Sequence, residues 1–189
     1  LLRHLKARGA AVINGADVFA LELSKSAQHS LLRGLGVDCP RSAVFHHPAA
    51  LTSLEDFPFP ALLKPDQGGS GARIAVVGDV DEVAHVLDAD PSLWWPDNLY
   101  LLQELCAHDA SHGIVRLELL GGELLYAMRV VTHGRFNLCP APACNPDDPA
   151  AGGACAIPAS ASKPVEFHPF PEVPPEAVAT AKRIAAAAG

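Results

Sequence analysis

The stretch Ala61-Leu-Leu-Lys64-Pro-Asp-Gln-Gly68-Gly-Ser-Gly71-Ala-Arg73-Ile decides how this chain is read. An apolar run ends in a lysine, a loop with three glycines follows, and a second run from Arg73 to Val77 returns. Glycine lets backbone N–H groups approach phosphate oxygens without a Cβ in the way, and the lysine adds positive charge. This is not a Walker A loop, because no Gly-Lys-Ser/Thr is present and the loop leads into a strand. Taken alone, the segment fits an ordinary glycine-rich hairpin connection with a surface lysine equally well.

Working outward, apolar spacing predicts the end of a helix at Leu1–Arg8, a short strand at Ala11–Asn14 and one helix from Asp17 to Leu35, stopped by Gly36. Strands are expected at 42–46, 61–64, 73–77 and 99–104, with a helix-like piece at 49–55 and a helix from Asp79 to Leu87 capped by Asp79. Ile114–Leu120 and Glu123–Val131 flank Gly121-Gly122, the pattern of a tight β-hairpin. Ten of the 17 prolines fall between Pro140 and Pro175, so an irregular excursion is expected there before a last helix, Glu176–Ala188. Hairpins dominate, and the class is α+β.

Composition narrows the function. With 189 residues, 49% hydrophobic, the chain can bury a real core. A net charge of -7 and no basic run argue against nucleic acid as a partner. The most apolar stretch, Ile114–Val131, carries Arg116, Glu118, Glu123 and Arg129, so no membrane span is expected. Five cysteines without a secreted-framework spacing point to reduced thiols and a cytoplasmic location. The chain opens on Leu1, its only methionine is Met128, and it ends in a helical pattern; a piece of a longer chain is expected.

Two further segments carry possible chemistry. Ser24-Lys25 opens a helical stretch, where a lone lysine is normally a solvated surface residue. Leu101-Leu-Gln103-Glu104-Leu105 is an apolar strand ending in polar side chains, which fits either a purine-binding edge or a strand leaving the core. Order is what joins them: Ser-Lys, then Leu-Lys-Pro with Gly-Gly-Ser-Gly, then Leu-Leu-Gln-Glu, then an Arg-bearing hairpin. In that order the chain resembles the ATP-grasp superfamily, in its RimK-like carboxylate–amine ligase branch. The resemblance runs from Val12 to Asn137, and Arg116–Val130 followed by Phe136-Asn-Leu-Cys-Pro140 is similar to bacterial RimK-like proteins.

The resemblance implies two α+β subdomains clasping ATP. Residues 17–103 would be the central subdomain and 104–189 an incomplete C-terminal one with its excursion at 140–175, while 1–16 end a preceding region. It implies that Lys25 and Lys64 hold phosphates and that Gly68, Gly69, Ser70 and Gly71 close over them. Gln103 and Glu104, with the backbone of Leu105 and Cys106, would read the adenine edge, and Asp109 would meet the ribose. Arg129 and Arg116 would face the γ-phosphate and the acylphosphate, offsetting repulsion between negative groups. Ile114 stands where relatives of the glutamate ligases carry an acidic residue. The family's Mg²⁺ ligands, and so the metal-binding part, are expected downstream of Gly189, and the fragment alone is not expected to turn over.

The implied function is an ATP-dependent ligase joining an unidentified carboxylate to an unidentified amine through an acylphosphate. The alternatives are a regulatory or degenerate ATP-binding module without ligase activity, or an α+β domain with no nucleotide site. A homo-oligomer is possible on either reading. A zinc set of Cys139, Cys144, Cys155 and His168 is not expected, because four, ten and twelve residues separate them where structural sites use tight pairs.

Overall fold

The computed structural model describes residues 1–54, 56–68, 73–90, 95, 97–107, 111–132 and 165–189. Residues 1–68, 73–106 and 180–189 fall in one unit, and the described residues of 107–179 in another. The first unit runs α1 (Leu2–Ala7), α2 (Ala16–Leu23), α3 (Lys25–Gly34), β1 (Ser42–Phe45), a 3-10 helix (Pro48–Ser53), β2 (Ala61–Pro65), β3 (Ala75–Val77), α4 (Val80–Ala89) and β4 (Tyr100–Glu104).

Its four strands form an antiparallel sheet in the order β1-β4-β2-β3. Leu63 lies opposite Leu102, and Ala61 opposite Val77. Strand alternation sends Ala61, Leu63, Tyr100 and Leu102 into a core closed by Val83 and Leu87 of α4, with Phe45, Leu51 and Phe57. Each fully buried leucine contributes roughly 1.5–3 kcal/mol over an exposed one. Lys64 and Gln103 therefore fall on the opposite face, where Leu62 and Leu101 are also buried. Helix α4 starts as its sequence dictates: Asp79 Oδ1 accepts the Glu82 N–H at 2.8 Å, and Glu82 Oε2 accepts that of Gly78 at 2.7 Å.

The helix expected over Asp17–Leu35 is two helices. Ser24 takes an extended conformation (φ -119°, ψ 111°), and its Oγ accepts the Ala27 N–H at 3.1 Å, capping α3. Gln28 Nε2 donates back to the carbonyls of Leu21 and Glu22 at 2.9 and 3.0 Å, satisfying the end of α2. Gly36, at φ +63°, closes α3: its N–H bonds Arg33 O and that of Val37 bonds Leu32 O. The strand expected at 11–14 does not form. Asn14 turns the chain at φ 53°, and no described strand pairs with this run. Strand β3 is shorter than its sequence pattern because Arg73 sits at φ 59°.

In the second unit, β5 (Ile114–Leu120), β6 (Glu123–Val131) and β7 (Glu166–Pro169) form an antiparallel sheet in that order. Gly121 and Gly122, at φ 58° and 82°, make the two-residue turn. Strand β7 lies inside the stretch expected to be irregular. It is an edge strand among the described residues, and its proline closes its end, where a missing N–H is tolerated. Helix α5 (Pro175–Ala188) follows, with its residues from Thr180 onward in the first unit. No helix of the described residues is long and apolar enough to cross a membrane.

Candidate functional site

Lys64 points away from the core and donates from Nζ to Oε1 of Gln103 on the neighbouring strand. Gln103 Nε2 donates in turn to Ser42 Oγ at 3.1 Å, so side chains stitch β2, β4 and β1 together on this face. Lys25 is the first residue of α3. Its Nζ donates to the carbonyls of Asp66 and Gly68 at 3.0 and 3.2 Å, across the start of the glycine-rich loop.

Asp66 fixes that junction. It is 3% exposed, its N–H bonds Leu99 O at 3.0 Å, and its Oδ1 accepts the Ser26 N–H at 2.7 Å. A carboxylate there answers both an unpaired donor and the positive end of the α3 dipole. Arg73 donates from Nη1 to Trp95 O at 2.8 Å and from Nη2 to Gln67 O at 3.2 Å. Gly68 has φ +147°, and a Cβ there would meet Arg73 Nη2 and the Pro65 ring at 3.5 Å. Asp97 lies close enough to act on Lys25, and its Oδ2 is buried with no hydrogen-bond partner among the described residues.

Three cations thus gather around residues 64–73, and two of them carry the strain of doing so. Burial pushes the Lys64 ammonium below its ordinary 10.5; the Lys25 charge adds to this, and Cys106 opposes it. Lys25 is lowered as well, first by burial, with Asp66 opposing, Arg73 reinforcing and Asp97 opposing. Neither lysine forms an ion pair among the described residues. A polyanion here would relieve the repulsion and replace hydration lost on burial.

The other candidates divide. Glu104 Oε2 accepts the Arg41 N–H at 3.0 Å, and Glu104 N–H donates to Arg41 O at 2.8 Å, so its side chain is tied to the start of β1. Leu105, half-buried, and Cys106, exposed, follow the last paired residue of β4. Gly69, Ser70, Gly71 and Asp109 lie outside the described residues, as do Cys139, Cys144 and Cys155. No group of three His, Cys, Asp or Glu side chains among the described residues is arranged to hold a metal ion, so they do not fit a Mg²⁺ site by themselves.

Arg116 and Arg129 belong to the second unit, on opposite faces of one hairpin. Arg129 lies opposite Val115, and Arg116 opposite Met128, so the alternation of each strand separates them. Arg116 Nε pairs with Glu118 Oε1 at 2.6 Å. Arg129 stacks over Phe170 at 5.2 Å and lines an open cavity of about 430 Å³ with Ser111, Val131, Glu166 and His168.

Sequence reasoning missed Asp66, Ser26 and Arg73 in the first unit and Glu166 in the second, and weighed His168 only as a zinc ligand. An aspartate between Lys-Pro and a glycine loop was the available signal for Asp66. For β7, proline density masked an alternation only four residues long.

No protein-family model matches the sequence. No curated protein matches it either. Solved structures do match. The ATP-grasp ligase PsnB complexed with minimal precursor, Mg and ADP aligns with TM-score 0.63 and 21% identity, over 100% of this chain and 49% of PsnB. PsnB complexed with precursor peptide PsnA2 and AMPPNP aligns with TM-score 0.61 and 21% identity, over 100% of this chain and 48% of that one. A RimK-domain ATP-grasp protein from Sphaerobacter thermophilus aligns with TM-score 0.56 and 22% identity, over 73% of this chain and 52% of its own. The chain spans about half the length of these structures, and over that half it has the ATP-grasp fold.

Proposed function

We propose, from an ATP-grasp fold whose first unit gathers Lys25, Lys64 and Arg73 at one loop, that this chain is the nucleotide-holding part of an ATP-dependent ligase. The ligase phosphorylates a carboxylate and passes the acyl group to an amine, forming a C–N bond. The observation that carries this reading is the cation cluster, because its two lysines rest on neutral oxygen acceptors rather than on carboxylates. Structural salt bridges would have neutralised them; a polyphosphate does so only when bound.

In this reading Lys25 and Lys64 hold the phosphate tail, and residues 68–71, with Gly68, Gly69, Ser70 and Gly71, fold over it. The adenine edge meets the backbone of Leu105 and Cys106, with Gln103 and Glu104 holding that strand end in place and Asp109 near the ribose. Arg129 faces the transferring phosphoryl group. Arg116, on the other face and paired with Glu118, is the second candidate. The ligands for Mg²⁺ would come from residues outside those described. Residues 17–103 and 104–189 are proposed as the two subdomains. Cys39 and Cys106 form no disulfide among the described residues, and a cytoplasmic location is proposed from the cysteine spacing.

The test is ADP release by the full-length protein with Mg-ATP against pooled carboxylates and amines, beside calorimetric titration of ATP. ADP release that depends on the pool supports the ligase. Tight ATP binding with no ADP release would leave a regulatory or degenerate ATP-binding module instead.

A further inference from the structure

We infer that His168, held by Glu166 beside Arg129, takes the proton from the nucleophile that attacks the activated acyl group. This rests on the ligase reading above. His168 lies directly opposite Arg129 in the β6–β7 ladder, and Glu166 lies opposite Val131, so all four share one face of the sheet. The same residues line the cavity of about 430 Å³, with Ser111 and Phe170. His168 Nε2 is 2.9 Å from Glu166 Oε2, and the two side chains are 53% and 41% exposed, open to a substrate in the cavity.

Elimination assigns the role. Arg129 stays protonated throughout and cannot take a proton. Glu166 uses an oxygen on His168, and a carboxylate is the weaker base. An imidazole oriented by a carboxylate is the arrangement that accepts a proton at neutral pH. With Nε2–H donated to Glu166, the lone pair is on Nδ1. The amine nitrogen forms its bond to the acyl carbon and the C–O bond to phosphate breaks. Phosphate leaves with that electron pair, and the N–H proton moves to Nδ1. Among the described residues that line the cavity, Arg129 on β6 and Glu166 on β7 are the charged groups beside the ring.

The experiment separates the two half-reactions. The full-length protein is given Mg-ATP and a pool of the proteinogenic amino acids, with and without hydroxylamine. Hydroxylamine, neutral and strongly nucleophilic at pH 7, captures an acylphosphate without needing a base. For His168→Ala the expected result is hydroxamate and ADP near wild-type rates, while amide formation falls by about 100-fold or more. Added imidazole should restore part of it, which a merely structural role would not allow. Amide formed by His168→Ala at the wild-type rate overturns the inference, as does loss of hydroxamate together with amide. Wild-type protein that yields neither hydroxamate nor ADP instead overturns the ligase reading itself.

Discussion

The Asp66 carboxylate accepts the N–H of Ser26 at 2.7 Å, so a buried residue just past the end of β2 caps a helix that starts 41 residues earlier. The same residue's carbonyl receives both the backbone and the side chain of Lys25. Replacing Asp66 with alanine should cost about 1–3 kcal/mol, because a buried donor loses its acceptor. Asp66→Asn, which keeps an oxygen, should cost less. Urea denaturation of the pair checks this, and ATP affinity should fall with stability only in the alanine variant.

Lys64→Ala should weaken ATP binding by about 10- to 100-fold, roughly 1.4–2.8 kcal/mol. Lys64→Met, which keeps the buried stem, should bind as poorly while folding at least as well as wild type. Calorimetric titration with ATP reads the first effect and thermal melting the second. Unchanged affinity in both variants would remove Lys64 from the phosphate site.

Much of this frame is legible in the sequence. The Gly121-Gly122 hairpin, the Asp79 cap and the apolar runs of β2 and β4 are local patterns with local causes, and each forms where the residues place it. The break at Ser24 is not legible in the apolar periodicity, which runs through it undisturbed; Gln28, four residues on, and Asp66, from just past the end of β2, stabilise it. Lys25 and Lys64 were marked by sequence order. Asp66 and Arg73 were not, since the Ser26 N–H that Asp66 accepts and the Gln67 and Trp95 carbonyls that Arg73 meets come near only on folding. The opposite faces of Arg116 and Arg129 follow from the register shift between Glu118 and Leu119, without which the two-residue turn would place both arginines on one face.

Both lysines have depressed pKa values, and this sets a sign for pH. Unfolded, each binds its proton up to about 10.5; folded, each releases it at lower pH. Between the folded value and 10.5 the unfolded chain holds more protons, so stability without nucleotide should rise with pH in that window. ATP affinity should fall across the same window, because the phosphates need the charged form. Binding should also draw in protons at alkaline pH, measurable as a dependence of the calorimetric heat on buffer ionisation enthalpy.

Arg129→Ala should keep ATP binding and lose ADP release, while Arg116→Ala should change stability by no more than about 1 kcal/mol, since it breaks only an exposed pair. Retained ADP release in Arg129→Ala, with loss in Arg116→Ala, would transfer the phosphoryl-facing role to the other side of the hairpin.

Gly113 sits at φ +64°, and a Cβ there would overlap the Val130 carbonyl. Gly113→Ala should therefore cost at least about 2 kcal/mol, from a strained backbone and a displaced strand. Loss of slow-exchanging amides in β5 and β6, with those of β2 and β4 retained, is the expected signature.

The joint at Ser24 uncouples length from aim. Because α3 begins afresh there, lengthening or trimming α2 rotates everything upstream of the joint without turning Lys25 on its own helix. The lysine's bearing on the loop that starts at Asp66 is thus set by α3 itself, through its Ser24 cap and its bonds to Asp66.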